Sequence, residues 1–315
     1  YNFPPKKGGG QRGAQISHPF TPLRGLHPRF QLVRRKTRCT EHKHSTDRQA
    51  GRPSIIVSVE DKGVISVNKD YLTWIEFYTE FAEKLLTYMK DRQTLIEKIK
   101  AVYTAIDMRL PKLEKDNNII DIDPFTIFGL FNKGITNTNR ITILHGIAKE
   151  FSVNAPVPES FNGIPVLNNQ KATYYFFIGD RQNDDIENLW RVFASALEYA
   201  KTHSKNSKAA LIKAYDAALL QKGIKWNLTM GLYWICPYEY INLDSRNRWF
   251  ICKPENMPSD FIDSVDNFSA VPSGEKYLQI NDSCRSILEK GNYRYKNFPE
   301  LSYYAWIVSE EENEE

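Results

Sequence analysis

The sequence predicts a mainly α-helical protein with a few short β strands (α+β), in which a compact helical domain follows a disordered basic segment. Apolar residues recur at steps of three and four through much of the chain after residue 73, which is the period of an amphipathic helix. A helix-start signal, Thr73 with Glu76, precedes the first of these stretches. With 315 residues, of which 41% are hydrophobic and 25% charged, the chain can bury a sizeable core.

Residues 1–54 give the protein its net positive charge. They hold 12 Lys and Arg against 2 Asp and Glu (+10), whereas the other 261 residues hold 30 against 36 (−6). The segment has no apolar period, so we expect it to be disordered. Its start at Tyr1 and abrupt end at Ser54 are also typical of a segment that is not native, and the alternative is a basic arm that lies on phosphates. The remaining body is mildly acidic, so bulk charge gives no argument for DNA binding.

We expect neither a membrane helix nor a secretory signal in this sequence. No stretch approaches the roughly 18 apolar residues of a membrane helix, and the first residues lack the apolar core of a secretory signal. We therefore expect a soluble, cytoplasmic protein without a membrane partner. The four cysteines form no Cys-x-x-Cys pair, so neither a disulfide framework nor a zinc site is expected. No metal and no cofactor are predicted.

Residues 55–110 are predicted to form a small β hairpin followed by a helical hairpin. Three β-branched residues alternate with other residues at 55–59, and a second short apolar run follows a Lys-Gly turn at 64–67. Apolar residues then recur at helical spacing over 74–88 and again over 95–106. The two helices follow each other closely in sequence, so we expect them to pack as a pair.

Residues 111–309 are predicted to form a helical recognition domain. Asp123 followed by Pro124 combines a capping residue with proline at the first helical position. The acidic residues 310–315 are expected to begin a solvated linker. Three short apolar runs favour strands, the first of which is equally consistent with a packed apolar segment: 173–178, 249–252 and 303–308.

Motifs for nucleotide hydrolysis and for common hydrolytic chemistry are missing. The sequence has no Gly-x-x-x-x-Gly-Lys-Ser/Thr phosphate loop, no His-Glu-x-x-His and no Gly-x-Ser-x-Gly. We therefore expect no nucleotide hydrolysis by this chain. The single enzymatic interpretation that we keep open is base excision, which is described below.

Three stretches of the sequence carry a resemblance to a known family. They are 123–136 (DPFTIFGLFNKGIT), 161–169 (FNGIPVLNN), and 226–234 (WNLTMGLYW) together with 241–248 (INLDSRNR). These stretches resemble the amino-terminal region that precedes the AAA+ motor in bacterial McrB-like restriction proteins. The similarity extends over about residues 72–308, leaves 1–54 unmatched, and ends before any motor motif.

The resemblance implies that the chain is the DNA-recognition module of a McrB-like restriction or anti-phage defence protein. In such proteins this module reads the DNA, the AAA+ domain binds and hydrolyses GTP, and a separate nuclease subunit cuts. We therefore expect duplex DNA with one flipped, modified base as the ligand. An AAA+ GTPase domain and a nuclease subunit are the expected protein partners.

Flipping a base out of the stack requires aromatic rings and hydrogen-bonding side chains that offset its cost. Residues 225–250 supply both, and we expect them to line an open hollow edged by cations. The helical spacing of Met230, Leu232 and Trp234 is also typical of a hydrophobic core. A position in the core is therefore the alternative to a place in the hollow for Tyr233 and Trp234. The predicted nucleic-acid-binding residues are Trp226 and Trp249 for stacking, Asn227 and Asn242 for base edges, and Arg246 and Arg248 for phosphates.

A second resemblance depends on Gly223, Lys225 and Asp244. The glycine, the lysine that follows it, and an aspartate 19 positions later are similar to helix-hairpin-helix DNA glycosylases. That resemblance implies Lys225 as a nucleophile that attacks the sugar carbon and Asp244 as its assistant. The hairpin glycine pattern is reduced here to Gly223, and the alternative is that Asp244 pairs with Arg246 or Arg248, or caps a turn.

A third interpretation is a protein-interaction platform of a defence complex. It would be favoured if the aromatic side chains of 226–249 were buried and no basic concavity lay beside them. The placement of these side chains therefore discriminates between the three interpretations.

Overall fold

The computed structural model describes residues 69–169 and 172–314, and this part of the chain is mainly helical, as predicted. The predicted disordered segment 1–54 and the predicted hairpin at 55–67 lie outside the described residues. The elements are two 3-10 helices, Lys69–Leu72 and Asp266–Phe268, and the helices α1 (Trp74–Leu86), α2 (Arg92–Ala105), α3 (Pro124–Gly129), α4 (Asn137–Phe151), α5 (Asp185–Thr202), α6 (Lys205–Leu219), α7 (Asn227–Ile235), α8 (Ser245–Ile251), α9 (Ser259–Ser264), α10 (Gly274–Lys290) and α11 (Phe298–Glu314).

Side-chain caps define the start of several helices. Asp123 accepts a hydrogen bond from the Thr126 backbone N–H at 3.0 Å, and Pro124 follows at the first helical position, so this prediction is confirmed. The predicted cap at Thr73 is wrong, because its backbone is helical and its side chain makes no capping hydrogen bond. A side-chain cap such as that of Asp123 contributes about 1 kcal/mol to the stability of the protein. The other capping side chains are Asp91 on α2, Thr136 on α4, Ser204 on α6, Asp244 on α8 and Ser273 on α10.

The two predicted helices are present as α1 and α2, but their main packing partners are other helices: α2 packs on α4, and α1 packs on α7. Both belong to one hydrophobic core that they share with the helices that follow. Phe81 of α1 packs against Phe128 of α3 with ring centroids 5.3 Å apart. Phe128 in turn stacks on Trp234 of α7 at 6.3 Å. The core therefore continues across residue 110 and reaches the segment that carries the candidate site.

The described residues contain no β-sheet, and the one β pairing among them is an isolated bridge between Lys133 and Leu167. The predicted strand at 249–252 is wrong because α8 extends to Ile251. The predicted strand at 303–308 is wrong because this run lies within α11, which buries Phe298, Leu301 and Ala305 at helical spacing. In both cases aromatic and β-branched residues suggested a strand, whereas the buried positions follow a helical period.

The run 173–178 forms the packed apolar segment that was the alternative to a strand. Tyr174 and Tyr175 are buried, and no ladder of backbone hydrogen bonds accompanies them in the described chain. Instead, the Tyr174 backbone N–H donates to Thr126 Oγ1 at 2.8 Å. The segment is therefore held by side chains of α3 and by the core.

The acidic residues that were predicted to begin a linker are helical in the part that the structure describes. Helix α11 continues to Glu314 and so includes residues 310–314. Their side chains are exposed as far as residue 313, as expected for a run of glutamates. No helix among the described residues has the length and apolar character that a membrane crossing requires.

Candidate nucleic-acid interface

Helix α7 is a core element that fixes the position of the candidate site. Its residues 228–235 are all buried. Gly231 lies so close to Phe125 of α3 that a Cβ atom on the glycine would come within 2.6 Å of the phenylalanine ring. Because α7 packs this tightly, only its first turn, with Trp226 and Asn227, reaches the surface.

Tyr233 and Trp234 belong to the core and do not line an open hollow. They are 1% and 0% exposed, and the Trp234 indole N–H donates to the Pro165 carbonyl at 3.1 Å. Burial raises the pKa of Tyr233 well above its usual value, which is the behaviour of an interior phenol. The core interpretation of these two residues is therefore confirmed.

Asn242 and Asp244 hold the loop between α7 and α8. Asn242 is buried, its Oδ1 accepts a hydrogen bond from the Asp244 backbone N–H at 3.0 Å, and its carbonyl accepts one from Asn247 Nδ2 at 2.9 Å. Asp244 caps α8 by accepting from the Asn247 backbone N–H at 2.8 Å. Asn242 is thus placed in the interior, away from any base edge. Asp244 has the capping role that was the alternative to catalysis.

The half-buried Trp226 forms a stack with Arg248 at the surface. The Arg248 guanidinium carbon lies 4.0 Å from the centre of the indole ring, and Phe268 meets that ring edge-on at 6.2 Å. Arg248 Nε donates to the carbonyls of Leu243 and Asp244 at 3.1 and 3.3 Å. Neither terminal nitrogen of Arg248 has a hydrogen-bond partner among the residues that the structure describes. Burial lowers the pKa of Arg248, which nevertheless stays charged at neutral pH.

A second cation and tryptophan pair lies one turn further along the same segment. The Lys253 ammonium is 3.9 Å from the centre of the Trp249 ring. Lys253 also pairs with Glu312, and Arg246 Nη2 bonds to Glu310 Oε1 at 2.8 Å. The two tryptophans and three cations of this segment thus form a surface that we call the α8 surface: Trp226, Arg246, Arg248, Trp249 and Lys253.

Lys225 and Asp244 are not joined by a hydrogen bond or an ion pair within the described chain. Lys225 is exposed, and its backbone N–H donates to Asn227 Oδ1 at 2.7 Å. An exposed ammonium lacks the desolvation that activates a nucleophilic lysine. Asn227 therefore serves the turn at the start of α7, and Tyr174 Oη donates to its carbonyl at 2.7 Å.

Sequence reasoning missed four residues of this region. Lys253 and Phe268 contact the rings of Trp249 and Trp226, and Glu310 and Glu312 pair with the cations. The spacing of four residues from Trp249 to Lys253 was a usable helical signal. The pairing of Arg246 with Glu310, 64 residues away, had no signal in the sequence.

Two surface cavities of about 510 and 540 Å³ lie elsewhere, and neither is lined by a residue of α7 or α8. The first surrounds Arg92, Asp121 and Glu187, and the second lies at the start of α5 beside Leu220. Within the described ranges no group of His, Cys, Asp and Glu side chains is arranged to hold a metal ion. Neither of these two cavities is therefore the cation-edged hollow that was predicted for residues 225–250.

A comparison with family models gives one match, to the family described as Domain of unknown function (DUF8425), over residues 74–308. No curated protein and no solved structure matches the chain. The matched span begins with α1, includes the whole α8 surface, and ends within α11. Since it covers about three quarters of the sequence, the chain belongs to the DUF8425 family of domains of unknown function.

Proposed function

We propose that this chain is a DNA-recognition module that holds duplex phosphates at the α8 surface. The observation that carries the proposal is Arg248, whose guanidinium carbon lies 4.0 Å from the centre of the Trp226 ring while both terminal nitrogens have no hydrogen-bond partner among the described residues. An arginine in this state presents a two-pronged donor of the shape that binds phosphate. Exposed Lys225, next to the same indole ring in sequence, supplies a second positive charge.

The fixed position of Arg248 supports the proposal energetically. Two hydrogen bonds from Nε and the contact with Trp226 already restrict the side chain. Ordering a free arginine on binding costs up to about 2 kcal/mol of rotamer entropy, and most of this cost is already met in the folded protein. A pre-oriented guanidinium therefore gains more from each phosphate contact than a mobile one does.

The resemblance to McrB-like proteins adds a second part to the proposal, which is recognition of a flipped base. The partly exposed rings that could stack on a base are Trp226 and Trp249, because Tyr233 and Trp234 are buried. One face of each ring is occupied by a cation, Arg248 or Lys253, so a base would stack on that face only after the cation moved aside. A duplex with a modified base should then bind more tightly than the matched unmodified duplex.

The proposal is tested by duplex binding at two salt concentrations, measured by fluorescence anisotropy. We expect Arg248→Gln to weaken binding about tenfold and to reduce the slope of log K against log salt by about 0.9, because one phosphate contact is lost. The control is Arg285→Gln, which removes an equally charged, half-buried arginine from α10. It should leave the affinity within about twofold of the wild type.

A second variant, at exposed Lys225, tests the proposal with a substitution that should not affect folding. Lys225→Gln should weaken binding about threefold, while the exposed α6 substitution Lys213→Gln should have no effect. If no duplex binds at low salt, or if Arg285→Gln weakens binding as much as Arg248→Gln does, the proposal is wrong. The same wild-type measurement with modified and unmodified duplexes tests base reading.

A protein-interaction platform is the second candidate, and three exposed apolar side chains favour it. Phe176, Ile178 and Leu220 are 37%, 49% and 90% exposed, and Phe176 packs against Gly223, which is three residues after Leu220. Exposed apolar side chains that cluster on a surface are typical of interfaces. An AAA+ GTPase domain and a nuclease subunit, as the resemblance implies for a cytoplasmic defence complex, are the proposed partners. Leu220→Ser should weaken such an association and leave duplex affinity unchanged.

A further inference from the structure

The acidic end of α11 lies across the cations of the α8 surface. Glu310 Oε1 is 2.8 Å from Arg246 Nη2, and Glu312 pairs with Lys253. Carboxylate and phosphate oxygens are both anionic acceptors that bind the same donors. These two glutamates therefore occupy the hydrogen-bonding positions that DNA phosphates would need at Arg246 and Lys253.

The glutamates have no basic partner in the described last turn of the helix that carries them. The contact with α8 gives these acidic side chains favourable partners that this turn of α11 does not provide.

We propose that Glu310 and Glu312 act as an intramolecular competitor for DNA phosphates at Arg246 and Lys253. This inference depends on the proposed function, because it names how the same surface is regulated. In this structure the terminal nitrogens of Arg248 have no hydrogen-bond partner among the described residues and can bind a phosphate. Arg246 and Lys253, in contrast, are paired with Glu310 and Glu312. Displacing the end of α11 would extend the phosphate-binding surface from one arginine to three cations.

The cover is weak enough to be displaced. The side chains of Glu310 and Glu312 are 50% and 53% exposed, so water screens both ion pairs. A pair of this kind changes an equilibrium by no more than about fivefold. A duplex that brings several phosphates at once can compete with two such pairs, and bound DNA and the closed α11 contact should therefore exclude each other.

The test compares two double variants of the full chain that change the net charge equally. Glu310→Gln with Glu312→Gln removes both competitors, and we expect duplex binding to become about three- to tenfold tighter. The slope of log K against log salt should steepen, because additional cations reach phosphates. The control, Glu289→Gln with Glu311→Gln, removes two exposed carboxylates that have no ion-pair partner in the described chain. It should stay within about twofold of the wild type.

The outcomes separate this inference from the proposed function. Suppose that Arg248→Gln weakens binding but the Glu310 and Glu312 variant binds no more tightly than the wild type. Competition by the two glutamates is then refuted, while the proposed DNA binding by the α8 surface is still supported. If the control variant tightens binding equally, net charge alone explains the result and the competitor is again refuted. If no variant binds a duplex at low salt, both proposals are refuted.

Discussion

Asp123 is a buried acid with two different environments at its two oxygens. Its Oδ1 caps α3, whereas Oδ2 has no hydrogen-bond partner among the described residues. Burial raises the pKa of Asp123 from 3.8 to about 6, and the capping bond to Thr126 only partly opposes this shift. The folded protein therefore binds the proton of Asp123 more tightly than the unfolded chain does.

This shift makes the free energy of unfolding depend on pH in a defined direction. The contribution of Asp123 is largest below pH 3.8 and is lost as the pH rises through about 6, because the unfolded chain releases the proton first. The loss amounts to about 3 kcal/mol. Asp123→Asn keeps an oxygen for the cap and removes the titration. Urea unfolding between pH 4 and 7 should therefore show the two proteins diverging, and parallel curves would contradict the assignment.

At the scale of elements, Glu114 and Arg181 connect two loops that lack secondary structure. Glu114 Oε2 is 2.7 Å from Arg181 Nη1, and its Oε1 accepts a hydrogen bond from the Ile178 backbone N–H at 2.8 Å. The two side chains are only 4% and 9% exposed. These contacts hold the apolar segment 173–178 in place without a strand partner.

Glu114→Gln should therefore be strongly destabilising. It leaves the Arg181 charge buried without a counter-charge, which costs about 3 kcal/mol. The matched control is Glu150→Gln, because the Glu150 pair with Lys98 is about one third exposed and should cost less than about 1 kcal/mol. Chemical denaturation measures both. Equal losses of unfolding free energy in the two variants would show that burial does not make the Glu114–Arg181 pair more important for stability than the more exposed pair.

Elements with a clear apolar period could be predicted from the sequence, and elements held by distant contacts could not. The existence of α1 and α2 follows from apolar spacing, and the start of α3 follows from the Asp123 cap. The helices on which α1 and α2 pack, α7 and α4, did not follow from the sequence. The runs 249–252 and 303–308 are short and rich in aromatic and β-branched residues, which local preference assigns to strands. Tertiary burial on α8 and α11 overrides that preference.

The same limit applies to the candidate site at the scale of the whole molecule. The composition of 225–250, with its aromatic and basic side chains, predicted a binding surface in this segment. It could not tell which of them face inward, because that depends on how α7 packs on α3. Asn242 is therefore interior, whereas Trp226 and Arg248 reach the surface.

One continuous core predicts one cooperative unfolding transition for the described helices. Trp74, Trp190 and Trp234 are almost completely buried in α1, α5 and α7, and all three belong to the same hydrophobic cluster. Tryptophan fluorescence and far-ultraviolet circular dichroism should therefore report the same urea midpoint. Two separated midpoints would show that part of this core unfolds independently of the rest.

The stack of Arg248 on Trp226 gives the α8 surface a built-in optical reporter. A guanidinium 4.0 Å from an indole ring sets the electric field in which that ring absorbs and emits light. Any anion that draws the guanidinium away, or a base that replaces it, alters this field at the chromophore itself. Occupancy of the surface can thus be followed by the colour of tryptophan emission, without attaching a dye to either molecule.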